Sequence, residues 1–217
     1  MRRELILTLI VCLIISASCI YVSAESENEP DSYSIRGISY VYDSSVSIES
    51  FYNDRDISDI LSKVQRKILK DNNKEYIALS EYLTEQEIKT FVEKGIDPVA
   101  VSVSTIETEI IPEALIKSKK GADTISLTRS YQFKITTLGF SYYKLTASWD
   151  VFTPTGECTV TYSSFSHVSG PMAISHWKNF ETNRIHSYFT FTNGSVNNTV
   201  DYHFRVNSSG NIIQYYP

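Results

Sequence analysis

Apolar and polar residues alternate with a period of two along most of the second half of the chain. This period is typical of strands that bury one face, because successive side chains point to opposite faces. Turn residues such as Pro154-Thr155-Gly156 and Asn193-Gly194 separate the runs. The pattern predicts an antiparallel sandwich or a strongly curved sheet. The apolar sets are Ile125, Leu127, Tyr131, Phe133 and Ile135; Tyr143, Leu145, Ala147, Trp149 and Val151; Cys158, Val160 and Tyr162; Phe189 and Phe191; Val200, Tyr202, Phe204 and Val206.

Between residues 56 and 95 the spacing of apolar residues is helical. We expect Asp56 to cap a first helix, and Thr84 with Glu87 to form the capping box of a second helix that ends at Gly95. Because each helix has one apolar stripe, each must pack against a larger element. The stripes are Ile57, Ile60, Leu61, Val64 and Ile68 in the first helix, and Ile88, Phe91 and Val92 in the second.

The domain organisation follows from these patterns. Residues 35–52 are rich in Ile, Val, Tyr and Ser, which predicts a strand or a strand pair before the helices. A Lys-rich loop at residues 117–121 separates this part from the β-rich half. We predict an α+β fold in which an N-terminal helical segment packs with an antiparallel C-terminal β-sandwich. The corresponding domains are an α/β segment at 35–120 and a sandwich at 121–217.

The first 24 residues have the order of parts found in a secretory signal peptide. Arg2 and Arg3 precede an apolar run, and Val22-Ser23-Ala24 offers small residues for cleavage after Ala24. The polar residues 25–34 would then form a disordered N-terminus. Two alternatives stay open, namely an uncleaved membrane anchor and a lipid-modified Cys19. The sequence therefore predicts an exported protein.

Composition restricts the partners. The net charge is −5, which disfavours nucleic acid and, after cleavage of the signal, membrane surfaces. Cys158 alone stays in the chain after such cleavage, so we expect no intramolecular disulfide. The expected partner is an extracellular ligand, such as a cell-surface glycan or protein.

The four histidines lie in the last third of the chain, at positions 167, 176, 186 and 203. His186 and His203 are out of phase with the aromatic residues of their strands, on the same face as Asp201 and Arg205. If the two strands pair, these side chains form a polar patch. We interpret the patch as a solvated sheet face with a cross-strand ion pair, because no ligand spacing indicates a metal. We predict no metal and no cofactor.

Enzyme chemistry has little basis in the sequence. Cys158 is a conceivable nucleophile beside a histidine, but its phase with Val160 predicts a buried apolar role. No GxSxG motif occurs, and no pair of carboxylates is singled out by its position. We therefore predict no catalytic residue and favour a non-enzymatic protein.

Tyrosine gives the strongest compositional signal for binding. The pairs Tyr142-Tyr143 and Tyr215-Tyr216 each send one ring to the outer face of a strand, where it can stack on a sugar or a peptide. The candidate ligand-binding residues are Tyr142, Tyr215, His186, His203 and Arg205.

The sequence favours a secreted protein that binds an extracellular or cell-surface ligand through a β-sheet face or loops. One alternative is a bacteriocin-like or toxin-like effector in which residues 25 to about 120 act as a propeptide, since a Lys-rich loop is easily cleaved. A second alternative is an extracellular hydrolase that uses Cys158 or the histidine patch. The register of the last hairpin also stays open, because a two-residue turn at Asn193-Gly194 and a longer loop both fit the apolar phase.

Overall fold

The computed structural model describes residues 32–136 and 139–216, and of residues 176–181 it describes the backbone. From Ser32 onward the chain forms one compact unit. The predicted signal peptide, the alternative lipid site at Cys19 and the first part of the predicted disordered N-terminus lie outside the described residues. None of the helices in the described ranges has the length and apolar character that a membrane crossing requires.

A single antiparallel sheet of ten strands dominates the described part of the chain. Its main path runs β6-β5-β4-β3-β1-β9-β8-β7, with β10 paired to β9 and β2 paired to β3. The sheet is nearly closed and barrel-like. At the closure, the Val160 amide of β6 donates to the Thr182 carbonyl beside β7. The strands are β1 Tyr33–Asp43, β2 Ile77–Ala78, β3 Ser102–Lys119, β4 Thr124–Thr136, β5 Phe140–Phe152, β6 Glu157–Ser169, β7 Ser175–Glu181, β8 Arg184–Asn193, β9 Val196–Val206 and β10 Ile212–Gln214.

The three helices of the described residues lie between β1 and β3 in the sequence. They are α1 Ile48–Asn53, α2 Arg55–Asp71 and α3 Glu85–Glu93, with a 3₁₀ turn at Leu79–Tyr82. Asp54, rather than the predicted Asp56, caps α2, since its side chain accepts from the amides of Asp56 and Ile57. Thr84 and Glu87 form the predicted capping box of α3.

The predicted α+β fold with an N-terminal helical segment and a C-terminal sandwich is wrong. The described chain begins with a strand, β1, which lies in the middle of the sheet between β3 and β9. The fold is mostly antiparallel β-structure with little helix. The physical reason is strand pairing at long range. A pair of β1 and β3 alone would leave one edge of each strand without hydrogen-bond partners, and β9 pairs with the free edge of β1 while β4 pairs with that of β3. The N-terminal strands therefore join the same sheet as the C-terminal strands.

Two apolar clusters lie on the two faces of this sheet. The inner cluster fills the curved interior and includes Tyr131, Phe133, Trp149 and Tyr202. The outer cluster lies between the helices and β1, where Tyr40 and Phe51 are buried. The helices therefore cover the outer face of the sheet near β1, and this cover extends towards β9.

Candidate functional site

The β8–β9 hairpin sets the positions of the two predicted histidines. Asn193 pairs with Val196, so Gly194 and Ser195 form a two-residue turn. This turn lies one residue later than the Asn193-Gly194 turn that the sequence left open beside a longer loop. Gly194 has φ 65°, a conformation that glycine adopts without strain. In this register His186 lies directly opposite His203, and their rings stack with centroids 4.0 Å apart. Both point to the outer face.

Asp201 lies at the centre of the cluster. One carboxylate oxygen, Oδ1, is 2.7 Å from His186 Nε2 and 3.8 Å from His203 Nε2. The other, Oδ2, accepts hydrogen bonds of 2.7 Å from Tyr52 Oη and from Gln65 Nε2. The two helices therefore hold one oxygen, and the two histidines face the other. We refer to His186, Asp201 and His203 as the His–Asp–His cluster.

The expected solvated sheet face is wrong at this position, because the helices cover the cluster. Asp201 is 1% exposed, and the side chains of His186 and His203 retain 20% and 15% of their exposure. Tyr52 of α1 stacks on Tyr188 beside the cluster, with centroids 4.6 Å apart. A buried carboxylate must be paired, which explains why so many donors converge on it.

Burial and charge act in opposite directions on the carboxyl group of Asp201. Burial raises its pKa, but His186 and His203 together lower the pKa by more than burial raises it. The resulting pKa lies well below the usual value of an aspartate. The pKa of His203 is lowered, first by its own burial, although Asp201 acts in the opposite direction. The cluster therefore keeps a buried negative charge beside His203 Nε2, which has no hydrogen-bond partner among the described residues.

A second group of predicted residues lies at the end of the same hairpin. Arg184 and Arg205 are direct partners across β8 and β9. Their guanidinium carbons lie 4.5 and 5.5 Å from the ring centroid of Tyr215, which follows β10. Among the described residues, neither arginine forms an ion pair. We refer to these three residues as the Arg–Tyr–Arg patch.

The structure brings together four of the five predicted residues, His186, His203, Arg205 and Tyr215. Tyr142 lies apart on β5, which three strands separate from β9 along the sheet. Whether these residues bind a ligand stays a prediction.

The other candidate residues lie in different surroundings. Cys158 is buried in the inner cluster, and burial raises the pKa of its thiol, with the charge of Arg205 acting in the opposite direction. His167 lies nine residues along the same strand, roughly 30 Å away, and its Nε2 is 2.9 Å from the Gly170 carbonyl. The backbone of His176 pairs with Phe189. This arrangement places no described histidine of β6 beside the thiol.

Sequence reasoning missed three residues of the site: Tyr52, Gln65 and Arg184. For Gln65 a signal exists, since it follows Leu61 by four residues and precedes Ile68 by three, which puts a polar side chain on the apolar stripe of α2. Tyr52 lies in a segment predicted as a strand, so its position could not be deduced. Arg184 required the register of the hairpin.

Comparison with known proteins yields no relative. No protein-family model matches the chain, and neither a curated protein nor a solved structure matches it.

Proposed function

We propose that the protein is exported and, without catalysing a reaction, binds an acidic ligand at a cell surface through the Arg–Tyr–Arg patch. The ligand is a glycan or a protein that presents sulfate or carboxylate groups. The observation that carries this proposal is the direct opposition of Arg184 and Arg205 on neighbouring strands, beside Tyr215. Like charges in this position are unfavourable in a sheet unless an anion compensates them.

The chemistry of the patch suits an acidic sugar or peptide. A guanidinium group donates in a planar fork that matches the two oxygens of a carboxylate or the oxygens of a sulfate. The Tyr215 ring adds an apolar surface on which a sugar ring or a side chain can stack. Because Arg184 is exposed and Arg205 is partly exposed, an anion can reach both groups from solvent.

The two alternative functions have less support. Residues 25 to about 120 include β1 and β3, which lie between β4 and β9, so removal of this segment as a propeptide would separate paired strands. A hydrolase based on Cys158 would need a nucleophile that is buried, with a raised pKa. The first geometry does not favour a propeptide, and the second does not favour Cys158 as a nucleophile.

Retention on immobilised heparin, a sulfated polysaccharide, and on polyglutamate tests the proposal. We expect the protein to bind at least one of the two at low salt, and to elute as salt screens the arginines. The double variant Arg184→Ala/Arg205→Ala should lose this retention.

A matched control removes two exposed arginines of α2 in the variant Arg55→Ala/Arg66→Ala, and this protein should be retained like the wild type. Equal retention of both double variants would show that net charge, and not the patch, causes binding. Failure of the wild type to bind either polymer would contradict the proposal.

A further inference from the structure

We propose that the His–Asp–His cluster binds a divalent transition metal ion, with Zn²⁺ the best match, through His186 Nε2, His203 Nε2 and Asp201 Oδ1. The three donor atoms all lie within 4.8 Å of one another. In a tetrahedral zinc site with ligand distances of about 2.0–2.2 Å, neighbouring donor atoms are roughly 3.3 Å apart. The separations of Asp201 Oδ1 from His186 Nε2 and His203 Nε2, 2.7 and 3.8 Å, lie on either side of this value. The two stacked imidazole rings must also rotate, so that both Nε2 lone pairs point at the ion.

The donor set matches the chemistry of such ions. Two imidazole nitrogens and one carboxylate oxygen form a common ligand set for zinc and related metals, in which a fourth position stays open. The exposure that His186 and His203 retain gives the ion a route from solvent to this open position. Ca²⁺ and Mg²⁺ are poorer candidates, because they prefer oxygen ligands.

The unsatisfied polar atoms of the cluster point to the same conclusion. Within the described part of the chain, His203 Nε2 is buried without a hydrogen-bond partner. Its 3.8 Å separation from Asp201 Oδ1 is too long for a hydrogen bond. A buried nitrogen without a partner is unfavourable, and coordination to a metal would satisfy it. The Oε1 atom of the neighbouring Gln65 is buried as well, and no described residue forms a hydrogen bond with it.

Residues of the helices orient the Asp201 carboxylate by hydrogen bonds, as the residues around a metal site orient its ligands. Tyr52 and Gln65 both donate to Oδ2, which fixes the plane of the carboxylate and leaves Oδ1 directed at the histidines. An ion at Oδ1 would take the place of the His186 hydrogen bond. Residues from α1, α2, β8 and β9 would then be held by one centre.

This inference does not depend on the proposed binding of an acidic ligand. Loss of heparin retention in the arginine variants leaves the metal ligands in place, and loss of zinc binding in histidine variants leaves the Arg–Tyr–Arg patch in place. The two proposals can therefore fail separately.

Titration of the full chain with ZnSO₄ after removal of metals by EDTA tests the inference, with isothermal calorimetry as the readout. We expect one Zn²⁺ per chain. Because removal of an outer-shell partner weakens metal binding about 10–100-fold, His186→Ala and His203→Ala should each weaken it by at least about 100-fold. Tyr52→Phe should weaken it about 10-fold. The matched control is His167→Ala, a histidine of β6 outside the cluster, which should bind Zn²⁺ like the wild type.

Two further measurements use only the wild-type protein, so they do not depend on whether a variant folds. Zn²⁺ should raise the melting temperature, since an ion bound only to the folded state stabilises it. Co²⁺ should give visible absorption bands of a four- or five-coordinate site. The absence of saturable zinc binding would overturn the inference. So would zinc binding of unchanged strength in both His186→Ala and His203→Ala, because the ion would then lie elsewhere.

Discussion

The interior of the sheet and the His–Asp–His cluster are both buried, but different forces hold them together. The interior is mostly apolar, although the buried Arg129 also lies there. Its aromatic rings pack edge to face, as Phe133 does against Phe165 and Phe204. The cluster is polar, and Asp201 keeps its charge through hydrogen bonds and nearby histidines. The interior gains stability from the volume that it fills, whereas the cluster depends on the completeness of its partners.

This difference predicts different responses to substitution. A truncated ring in the interior costs stability at every pH, because the lost contacts carry no charge. A change at Asp201 alters the charge of a buried site, so its cost depends on protonation. The following predictions test this contrast.

The largest effect is expected for Phe133→Ala. Phe133 is fully buried in the inner cluster, and its loss leaves a cavity that costs about 3–5 kcal/mol of the free energy of unfolding. Urea denaturation measures this cost. The control Phe140→Ala removes a ring that is 53% exposed and should cost less than about 1 kcal/mol. If both variants lost the same stability, the inner cluster would not be the main source of stability.

A smaller effect, about 2–3 kcal/mol, is expected for Asp201→Asn, because hydrogen bonds to a charged carboxylate are replaced by weaker ones. The folded-state pKa of Asp201 is lowered, so the wild-type carboxylate contributes stability above its unfolded pKa of about 4 and loses it as the pH falls towards the folded value. In EDTA, the stability of Asp201→Asn should therefore decline less steeply in acid than that of the wild type.

The exposed Asp59→Asn provides the control for this second prediction, since it changes the same chemical group at the surface of α2. Its unfolding free energy should stay within about 0.5 kcal/mol of the wild type, with the same pH dependence. An acid profile of Asp201→Asn that superimposes on the wild type would mean that Asp201 is not a charged group of the folded protein.

The sequence predicts the interior much better than the cluster. The period of two correctly identified the buried faces of β5 and β9, from Tyr143 to Val151 and from Val200 to Val206. The same period failed at Tyr162, which is 52% exposed. There the register shifts, so that Ser148 pairs with Tyr162 while Trp149 pairs with Val160, and the extra residue moves Tyr162 to the other face.

The cluster could be predicted only in part, because its burial depends on contacts at long range. The phase of β8 and β9 correctly placed His186, Asp201 and His203 on one face, but it contained no sign that helices cover that face. The cover begins at α1, in residues that β-favouring composition assigned to a strand. Ile48 and Phe51 of α1 are buried in the outer cluster, and this tertiary packing overrides the local preference for a strand. The same packing brings Tyr52 to Asp201.

The smallest of the three effects is expected where the two regions meet, at Gly37 of β1. A Cβ atom there would lie 2.5 Å from the Tyr202 ring and 2.7 Å from the Asp201 carbonyl oxygen. The ring belongs to the interior, and the carbonyl belongs to the strand that carries the cluster. Because the backbone oxygen cannot move away without shifting β9, Gly37→Ala should cost about 1–3 kcal/mol of the free energy of unfolding.

Gly121→Ala is the matched control, since its added Cβ would meet no atom within 4 Å. It should leave the unfolding free energy within about 0.5 kcal/mol of the wild type. The chemical shifts of the His186 and His203 rings would sharpen the comparison. A shift of β9 in Gly37→Ala moves His203 and Asp201, and Asp201 contacts the ring of His186 on β8. If Gly37→Ala loses stability while these signals stay unchanged, Tyr202 alone accommodates the methyl group, and the interior and the cluster respond independently although they share a strand.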